Sequence, residues 1–197
     1  MITAAATSTA YDALADFAQR HRRLLVLTGA GCSTGSGIPD YRAADGSWKR
    51  QPPVQFGDFV RSVDVRRRYW ARSLLGWPRM RDALPNVAHR ALAALEHSGR
   101  LHWLVTQNVD GLHQKAGSGK VTDLHGRLDT VECLDCGRVL ARGGLQQELA
   151  ALNPAWAELA ATIAPDGDAD PGEVDYRFFR IIDCAGCGGL LKPAVVF

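Results

Sequence analysis

Four of the five cysteines form two C-x-x-C pairs, and these pairs strongly constrain how the chain can fold. The pairs are Cys133/Cys136 and Cys184/Cys187. In an intracellular chain such pairs indicate metal binding before disulfide formation. Four thiolates complete the tetrahedral ligand set of zinc and leave no open position for chemistry. The sequence therefore predicts one structural zinc ion, although the stretch between the pairs is longer than the usual zinc-ribbon spacing.

Two short apolar runs indicate strands of a parallel sheet. Residues 24–27 and 101–105 are rich in leucine and valine, and glycine or polar residues follow each run, as expected for buried parallel strands. Between them, residues 86–96 carry an apolar stripe at helical spacing with Asn86 as the N-cap. Residues 11–23 have a similar helical pattern. This alternation predicts an α/β fold with helices on the faces of the sheet.

The loops that follow the two strands are predicted to form one ligand crevice. In open parallel sheets, ligands bind beyond the carboxyl ends of the strands. Residues 29–42 and 107–113 each come directly after a strand. We therefore expect these loops to be the two walls of a single binding site.

The character of the chain changes near Thr130. The cysteine pairs and a loop-rich stretch at residues 165–172 lie beyond this point, and residues 191–197 are again apolar. The sequence thus predicts an α/β domain over residues 1–129, a small inserted zinc-binding domain over residues 130–190, and a return to the α/β sheet at the end.

Residues 29–37 form a loop with four glycines. Glycines let the backbone approach a ligand closely, and a loop of this kind after a strand can direct N–H groups at a phosphate. A tight turn without a ligand remains an alternative, because Thr34 stands where a G-x-G-x-x-G motif has its third glycine. Cys32 is expected to pack as a small apolar side chain. Tyr41 and Arg42, just beyond the loop, are suited to cover a flat ring and to pair with an anion.

Polar side chains follow the second strand. Asn108 and Asp110 can hydrogen-bond a carboxamide or ribose hydroxyls, but an Asn/Asp-rich turn explains them equally well. His125 can take or give a proton near neutral pH, although a single histidine is more often a surface or packing residue. Neither segment decides the function alone.

Charge and hydropathy argue against several classes of protein. The formal net charge is +2, which lacks the basic excess of most nucleic-acid binders, so no specific nucleic-acid partner is expected. No apolar run reaches the roughly 18 to 20 residues of a membrane helix. Residues 1–10 lack the charged and apolar regions of a secretory signal. We therefore expect a cytoplasmic protein without membrane association.

In their order along the chain, these motifs resemble the sirtuin family from about Arg20 to the last residue. Each motif is weak alone, but the order and spacing are specific. The motifs are residues 29–31, 38–42, 106–110 and 124–126, the two cysteine pairs, and residues 192–197. Further stretches are similar to the class II sirtuins related to the fourth mammalian, mitochondrial sirtuin: residues 57–62, 68–72, 76–78, 103–106 and 164–168, with the long insert between the cysteine pairs.

The resemblance implies a Rossmann-type NAD domain with a small zinc domain, and an NAD-dependent deacylase that acts on acylated-lysine proteins. In this family the carbonyl oxygen of an acyl-lysine amide attacks the ribose carbon that bears nicotinamide, and the acyl group ends on ADP-ribose. By motif match, His125 is the general base on a ribose hydroxyl, and Asn108 is the second catalytic residue. The implied NAD contacts are Gly29, Ala30, Gly31, Ile38, Asp40, Tyr41, Arg42, Gln107, Asn108 and Asp110.

The resemblance also suggests a preference for acidic acyl groups. Tyr69 and Arg72 form a Y-x-x-R pair, and a similarly placed pair binds the acyl carboxylate in sirtuins with that preference. The physical reason for such a preference is that an arginine can form two hydrogen bonds with one carboxylate. The alternative is that both residues simply occupy a helix face.

The pattern departs from the family at the end of the chain. Family members continue past the position of Phe197 with further strands and NAD contacts, so the resemblance implies C-terminal truncation, an exposed sheet edge and a half-open cofactor site. Protein mono-ADP-ribosyl transfer uses the same NAD site and remains an alternative. A further alternative is a protein that binds zinc and NAD without turnover.

Overall fold

The computed structural model describes residues 4–40, 54–163 and 168–197. Its helices are Ala4–Arg20 (α1), Phe56–Arg61 (α2), Val63–Asp82 (α3), Val87–His97 (α4), Leu112–Lys115 (α5), Arg142–Leu152 (α6) and Pro154–Ala157 (α7). Its strands are Leu24–Thr28 (β1), Leu101–Thr106 (β2), Val121–Asp123 (β3), Gly126–Cys133 (β4), Val139–Ala141 (β5), Thr162–Ile163 (β6), Ala169–Asp170 (β7) and Leu191–Val195 (β8). There are 3-10 helices at Ala30–Ser36 and Tyr176–Phe178. Within the described ranges, none of the helices combines the length and the apolar character needed to cross a membrane.

The predicted parallel sheet is confirmed. Strands β1, β2 and β3 pair in that order, and both pairings are parallel. Thr28 lies opposite Thr106, which lies opposite Asp123, so the three strands end at one edge of the sheet. Helical segments connect β1 to β2 and β2 to β3, as parallel strands require. The α/β class predicted from the alternating pattern is therefore correct.

Helix α4 begins at the predicted cap. The Asn86 side chain accepts hydrogen bonds from the backbone N–H groups of Ala88 and His89, and the ring of His89 accepts one from the Asn86 N–H. Asn86 Nδ2 also donates to Cys32 O at 2.8 Å. The cap thus attaches α4 to the glycine loop that follows β1.

One face of the parallel sheet has no cover from the described residues. Leu25 and Leu27 of β1 are 70% and 63% exposed, and Trp103 of β2 is also exposed. Leu24 and Leu104, in contrast, are buried. Because parallel sheets are ordinarily covered on both faces, this surface would need further structure to bury it.

A second, antiparallel sheet carries the cysteine pairs, with strand order β5-β4-β8. Strand β4 starts at Gly126 and runs through the predicted domain limit at residue 130. Residues 191–197 were expected to return to the parallel sheet, but β8 pairs with β4 instead, with Cys133 opposite Leu191. The two cysteine turns lie side by side. The chain that leaves the second turn therefore runs back along the strand that enters the first.

The main hydrophobic core joins this second sheet to helices α2, α3 and α6. Its buried members are Phe59, Tyr69, Trp70, Ala71, Leu74, Val131, Cys133, Leu145, Leu149, Phe179, Cys184 and Leu191. One cysteine of each pair therefore belongs to the core. Any change that separates the two cysteine turns also opens this core.

Candidate functional site

Three of the predicted site segments meet where the parallel strands end. Gly29 follows β1, Gln107 follows β2, and His125 comes shortly after β3. Gln107 N donates to Thr28 O at 3.0 Å, so the backbone pairing continues past the strand ends. The two predicted crevice walls are thus at a single edge of the sheet.

A hydrogen-bond network joins these two walls. Asn108 Nδ2 donates to Gly29 O at 3.0 Å and to Ser33 Oγ at 3.1 Å, and Ser33 Oγ donates to Asp110 Oδ2 at 2.6 Å. Asp110 Oδ1 accepts from Leu112 N, at the start of α5, at 2.9 Å. Because its amide nitrogen donates to the glycine loop twice, the buried Asn108 side chain holds that loop in place.

His125 has one ring nitrogen available for proton transfer. Its Nδ1 lies 2.9 Å from Gln107 O. A carbonyl oxygen can only accept, so Nδ1 carries the hydrogen of the neutral ring and Nε2 is the basic nitrogen. The side chain is exposed, which leaves it accessible to a substrate. This arrangement fits a general base.

The backbone next to His125 takes a conformation suited to glycine alone. Gly126 has φ +77°, and a Cβ there would lie 2.0 Å from Ala194 O. His125 O accepts from Val196 N at 2.9 Å. The lack of a side chain at Gly126 therefore lets the His125 backbone approach the end of β8.

We expect Gly126→Ala to lower the free energy of unfolding by roughly 2 kcal/mol or more, because a left-handed non-glycine residue costs about 1–3 kcal/mol and the new Cβ also meets Ala194 O. Urea denaturation measures the loss. Gly99→Ala is the matched control, since Gly99 has φ +74° and its Cβ would meet no described atom within 4 Å. Equal losses in the two variants would contradict the close contact at Gly126.

The other predicted cofactor residues differ in exposure. Gly31 is exposed, and Ala30 and Asp40 are half-buried. Ile38 is buried in a small apolar cluster, so its side chain contributes to the core. Two predicted contacts fall outside the described residues, Tyr41 and Arg42.

The four paired cysteines converge as predicted. Cys133 Sγ lies 3.5 Å from Cys187 Sγ, and Cys136 Sγ lies 3.8 Å from Cys184 Sγ. All four sulfurs are within 4.8 Å of one another. A tetrahedral zinc ion with Zn–S bonds of about 2.3 Å places its sulfurs about 3.8 Å apart. The donor set and its spacing therefore fit one zinc ion bound by four protein ligands.

Both cysteine pairs lie on the same kind of tight turn. Gly137 N donates to Cys133 O at 3.0 Å, and Gly188 N donates to Cys184 O at 2.7 Å. The two glycines have φ +70° and +74°, which explains the C-x-x-C-G pattern. Hydrogen bonding from the Gly186 backbone lowers the pKa of the Cys184 thiol to about 7. The second turn thus favours the thiolate form at Cys184, the form that zinc binds.

Comparison with known proteins identifies the family. A model described as the Sir2 family matches residues 29–197, which is most of the chain. The chain belongs to the Sir2 family. The resemblance inferred from the order of the motifs is thereby confirmed.

Several relatives of this Sir2 chain are longer than it is. A protein of Xanthomonas axonopodis pv. citri (strain 306), named NAD-dependent protein deacetylase, is 57% identical over 187 residues, which cover 95% of this chain and 64% of that protein. The human protein named NAD-dependent protein lipoamidase sirtuin-4, mitochondrial, is 54% identical over 179 residues, which cover 89% of this chain and 57% of that protein. A solved structure named "Sir2-p53 peptide-NAD+" has a TM-score of 0.69 at 29% identity and covers 93% of this chain and 62% of that chain. The Sir2 chain thus spans less than two thirds of the length of these three relatives.

The predicted acyl-binding pair of this Sir2 chain lies on α3. The ring of Tyr69 is buried and packs edge-on against Phe59 and Trp70, with centroids 5.6 and 5.4 Å away. Arg72 Nε donates to Asp168 Oδ2 at 2.8 Å, and these side chains are 16% and 10% exposed. An acyl carboxylate would therefore have to compete with Asp168 for Arg72.

Sequence reasoning missed Ser33 of the Sir2 chain. This buried hydroxyl joins Asn108 to Asp110 and so connects the two crevice walls. The available signal was a small polar side chain inside a loop predicted to bind a ligand. Its partners lie more than seventy positions further along the chain, so no local pattern could indicate them.

Proposed function

We propose that the protein is an NAD-dependent protein-lysine deacylase that transfers the acyl group to ADP-ribose and releases nicotinamide. The observation that carries this proposal is His125, an exposed residue with a basic Nε2 at the same sheet edge as the glycine loop. The names of the relatives, NAD-dependent protein deacetylase and lipoamidase, support the same chemistry. Acylated-lysine proteins are the proposed substrates.

The residues of the crevice fit NAD. Gly31 is exposed, and a Cβ there would meet none of the described atoms within 4 Å, so the loop backbone is open to a pyrophosphate. Asn108 and Asp110 stand beside it, where oxygen and amide groups can hydrogen-bond a ribose or a carboxamide. When bound, NAD supplies the ribose that accepts the acyl group.

The chain's own residues hold the loop and move a proton. Asn108 and Ser33 fix the glycine loop against the second wall of the crevice. Gln107 O sets the tautomer of His125, and His125 Nε2 then accepts a proton from a ribose hydroxyl. The zinc ion of the four cysteines plays no part in this step, because a site with four protein ligands is structural.

The test is turnover of acyl-lysine peptides with NAD, followed by mass spectrometry. The panel contains acetyl, lipoyl, succinyl, glutaryl and hydroxymethylglutaryl peptides. We expect nicotinamide and O-acyl-ADP-ribose to form together. ADP-ribose attached to protein, or NAD binding without products, would contradict the proposal. The assay includes a version extended to the length of the relatives, because the chain spans less than two thirds of the relatives compared above.

We further propose that Arg72 binds the carboxylate of an acidic acyl group, with Tyr69 beside it. Support comes from the chemistry of the existing contact, since Arg72 already binds the Asp168 carboxylate in a site that is mostly buried. Little exposure to water strengthens a charge-assisted hydrogen bond. An acyl carboxylate would take the place of Asp168.

Arg72→Ala is expected to lower the ratio of glutaryl to acetyl turnover about tenfold or more, because a hydrogen bond to a charged group contributes about 1.5–3 kcal/mol. Asp168→Asn removes the competing charge at nearly the same shape and is expected to raise the ratio. The ratio is obtained from kcat/KM measured for the glutaryl and the acetyl peptide with each variant. An unchanged ratio in Arg72→Ala would rule out the acyl role.

We also propose that the zinc-binding domain spans residues 130–190 within a Rossmann-type domain, and that the protein acts in the cytoplasm. The position of the cysteine turns supports the first proposal. Free cysteine pairs, which are typical of a reducing compartment, support the second. Limited proteolysis tests the domain limits, and cell fractionation tests the location.

A further inference from the structure

A second cluster of metal-binding side chains lies next to the glycine loop. Cys32 comes from the 3-10 helix after β1, His89 from α4 and His113 from α5. Each offers one ligand atom, and these atoms lie within 4.8 Å of one another. His89 Nε2 is 4.0 Å from Cys32 Sγ, and the two imidazole rings are 4.7 Å apart between centroids. The cluster shares no residue with the four-cysteine site.

His113 has a ring nitrogen with no hydrogen-bond partner in the part of the chain that the structure describes. Its side chain is 1% exposed, and Nδ1 is buried without a hydrogen-bond partner among the described residues. Its Nε2 lies 2.9 Å from Thr28 Oγ1, whose hydroxyl donates to Thr106 Oγ1. Thr28 Oγ1 must then accept the His113 Nε2–H. The lone pair of Nδ1 is therefore free, and an unpaired buried polar atom needs an explanation.

His89 can supply a second ligand at the cost of one hydrogen bond of the α4 cap. The ring is buried, and its Nδ1 accepts a long hydrogen bond, 3.3 Å, from Asn86 N. Binding an ion through Nε2 would shift the ring hydrogen to Nδ1 and break this bond. The other half of the cap, from Asn86 Oδ1 to the N–H groups of Ala88 and His89, would remain.

The surrounding charge favours a cation. The negative charge of Asp110 faces His89 and His113, while burial and the same charge raise the pKa of the Cys32 thiol. Burial lowers the pKa of both histidines, that of His113 to about 4. Both rings are therefore neutral at pH 7, the form in which imidazole binds metals.

We propose that Cys32, His89 and His113 form a second zinc site, in which a water molecule is the fourth ligand. A thiolate with two imidazoles is a donor set that zinc accepts, and three protein ligands leave one open position. On binding, the Cys32 thiol gives its proton to solvent and its sulfur bonds to the ion. Cys32 then acts as a ligand and not as the apolar packing residue expected from the sequence.

The test is metal counting on the whole chain with zinc already in the four-cysteine site. The protein is titrated with Co²⁺, whose bonds to thiolate absorb in the near ultraviolet, and zinc and cobalt per chain are measured by mass spectrometry. We expect one cobalt ion per chain with a thiolate band, while one zinc ion per chain is retained. Cobalt that only replaces zinc would overturn the proposal.

The variants separate the cluster from adventitious binding. Cys32→Ser should abolish the thiolate band and weaken cobalt binding by at least about tenfold. Even mutation of a residue that only hydrogen-bonds to a ligand lowers metal affinity by about 10- to 100-fold. Thr34→Ala, an exposed change in the same loop, should bind cobalt like the parent. His113→Asn gives an independent check on a second ligand. Equal cobalt binding by Cys32→Ser and the parent would refute the site.

Discussion

Cys136→Ser is expected to lose the zinc ion of the four-cysteine site and to lower the melting temperature by about 10 °C or more. Cys136 is exposed, so the substitution removes little packing and acts through the metal. Zinc binding contributes about 10–16 kcal/mol to the folding of zinc-finger peptides. Losing even about 3 kcal/mol would shift the transition of a chain of this size by roughly 6–12 °C.

The loss should extend beyond the cysteine turns. Cys133 and Cys184 belong to the core that Tyr69 and Trp70 also line. Separation of the two turns would therefore expose this core, and a chelator should have the same effect as the variant. Calorimetry measures the melting temperature, and zinc analysis on dialysed protein measures the metal content. Thr34→Ala is the control, because Thr34 is exposed and belongs to neither cluster of metal-binding side chains.

The claim of a structural zinc ion would fail on one result. If Cys136→Ser lost the metal but kept its secondary structure and its melting temperature, zinc would not be stabilising the fold. Zinc retention by the Thr34→Ala control would make that result unambiguous.

His125→Ala is expected to lower kcat for deacylation by about 10²- to 10⁴-fold, the usual contribution of a positioned general base. The side chain is exposed and its ring is held by a hydrogen bond to Gln107 O, so the fold should not depend on it. NAD should still raise the melting temperature of the variant, since binding to the folded state stabilises that state. Product formation and thermal shift are measured on the same preparation.

His102→Ala is the matched control for this prediction. His102 is an exposed histidine on β2 whose ring contacts Arg23, away from the proposed proton transfer. Turnover of His102→Ala should equal that of the parent. Turnover of His125→Ala within a few-fold of the parent would remove His125 from the mechanism.

Features set by neighbouring residues were predictable from the sequence. Strands β1 and β2 lie where the short apolar runs predicted them, although one face of β1 is exposed and not buried as expected. Asn86 caps α4 as predicted, since its side chain accepts hydrogen bonds from the first N–H groups of the same helix. The convergence of the cysteines followed from ligand number alone.

Features set by distant contacts were not predictable in the same way. Ser33 and Asp110 are 77 positions apart, and Arg72 and Asp168 are 96 positions apart. Strand β8 joined the second sheet because of where the cysteine turns meet, which its own apolar pattern does not specify. Pairings of this kind depend on the assembled fold.

Arg142 is the clearest case of a residue that sequence patterns misplace. Arginine is mostly exposed in proteins, yet Arg142 is 1% exposed. Its guanidinium carbon lies 5.5 and 5.3 Å from the ring centroids of Trp70 and Trp77. Cation–π contacts with two rings offset part of the cost of burial, and they exist only once α3 and α6 have packed together.

The most direct test of the proposed deacylase chemistry follows one oxygen atom. An acetyl-lysine peptide labelled with ¹⁸O at the amide carbonyl is incubated with NAD and with the chain extended to the length of its relatives, and the products are analysed by mass spectrometry. If the acyl oxygen attacks the ribose, the label will be found on the ribose of the O-acetyl-ADP-ribose product, and its formation will require His125. Label that stays with free acetate, or lysine released without NAD, would contradict this chemistry.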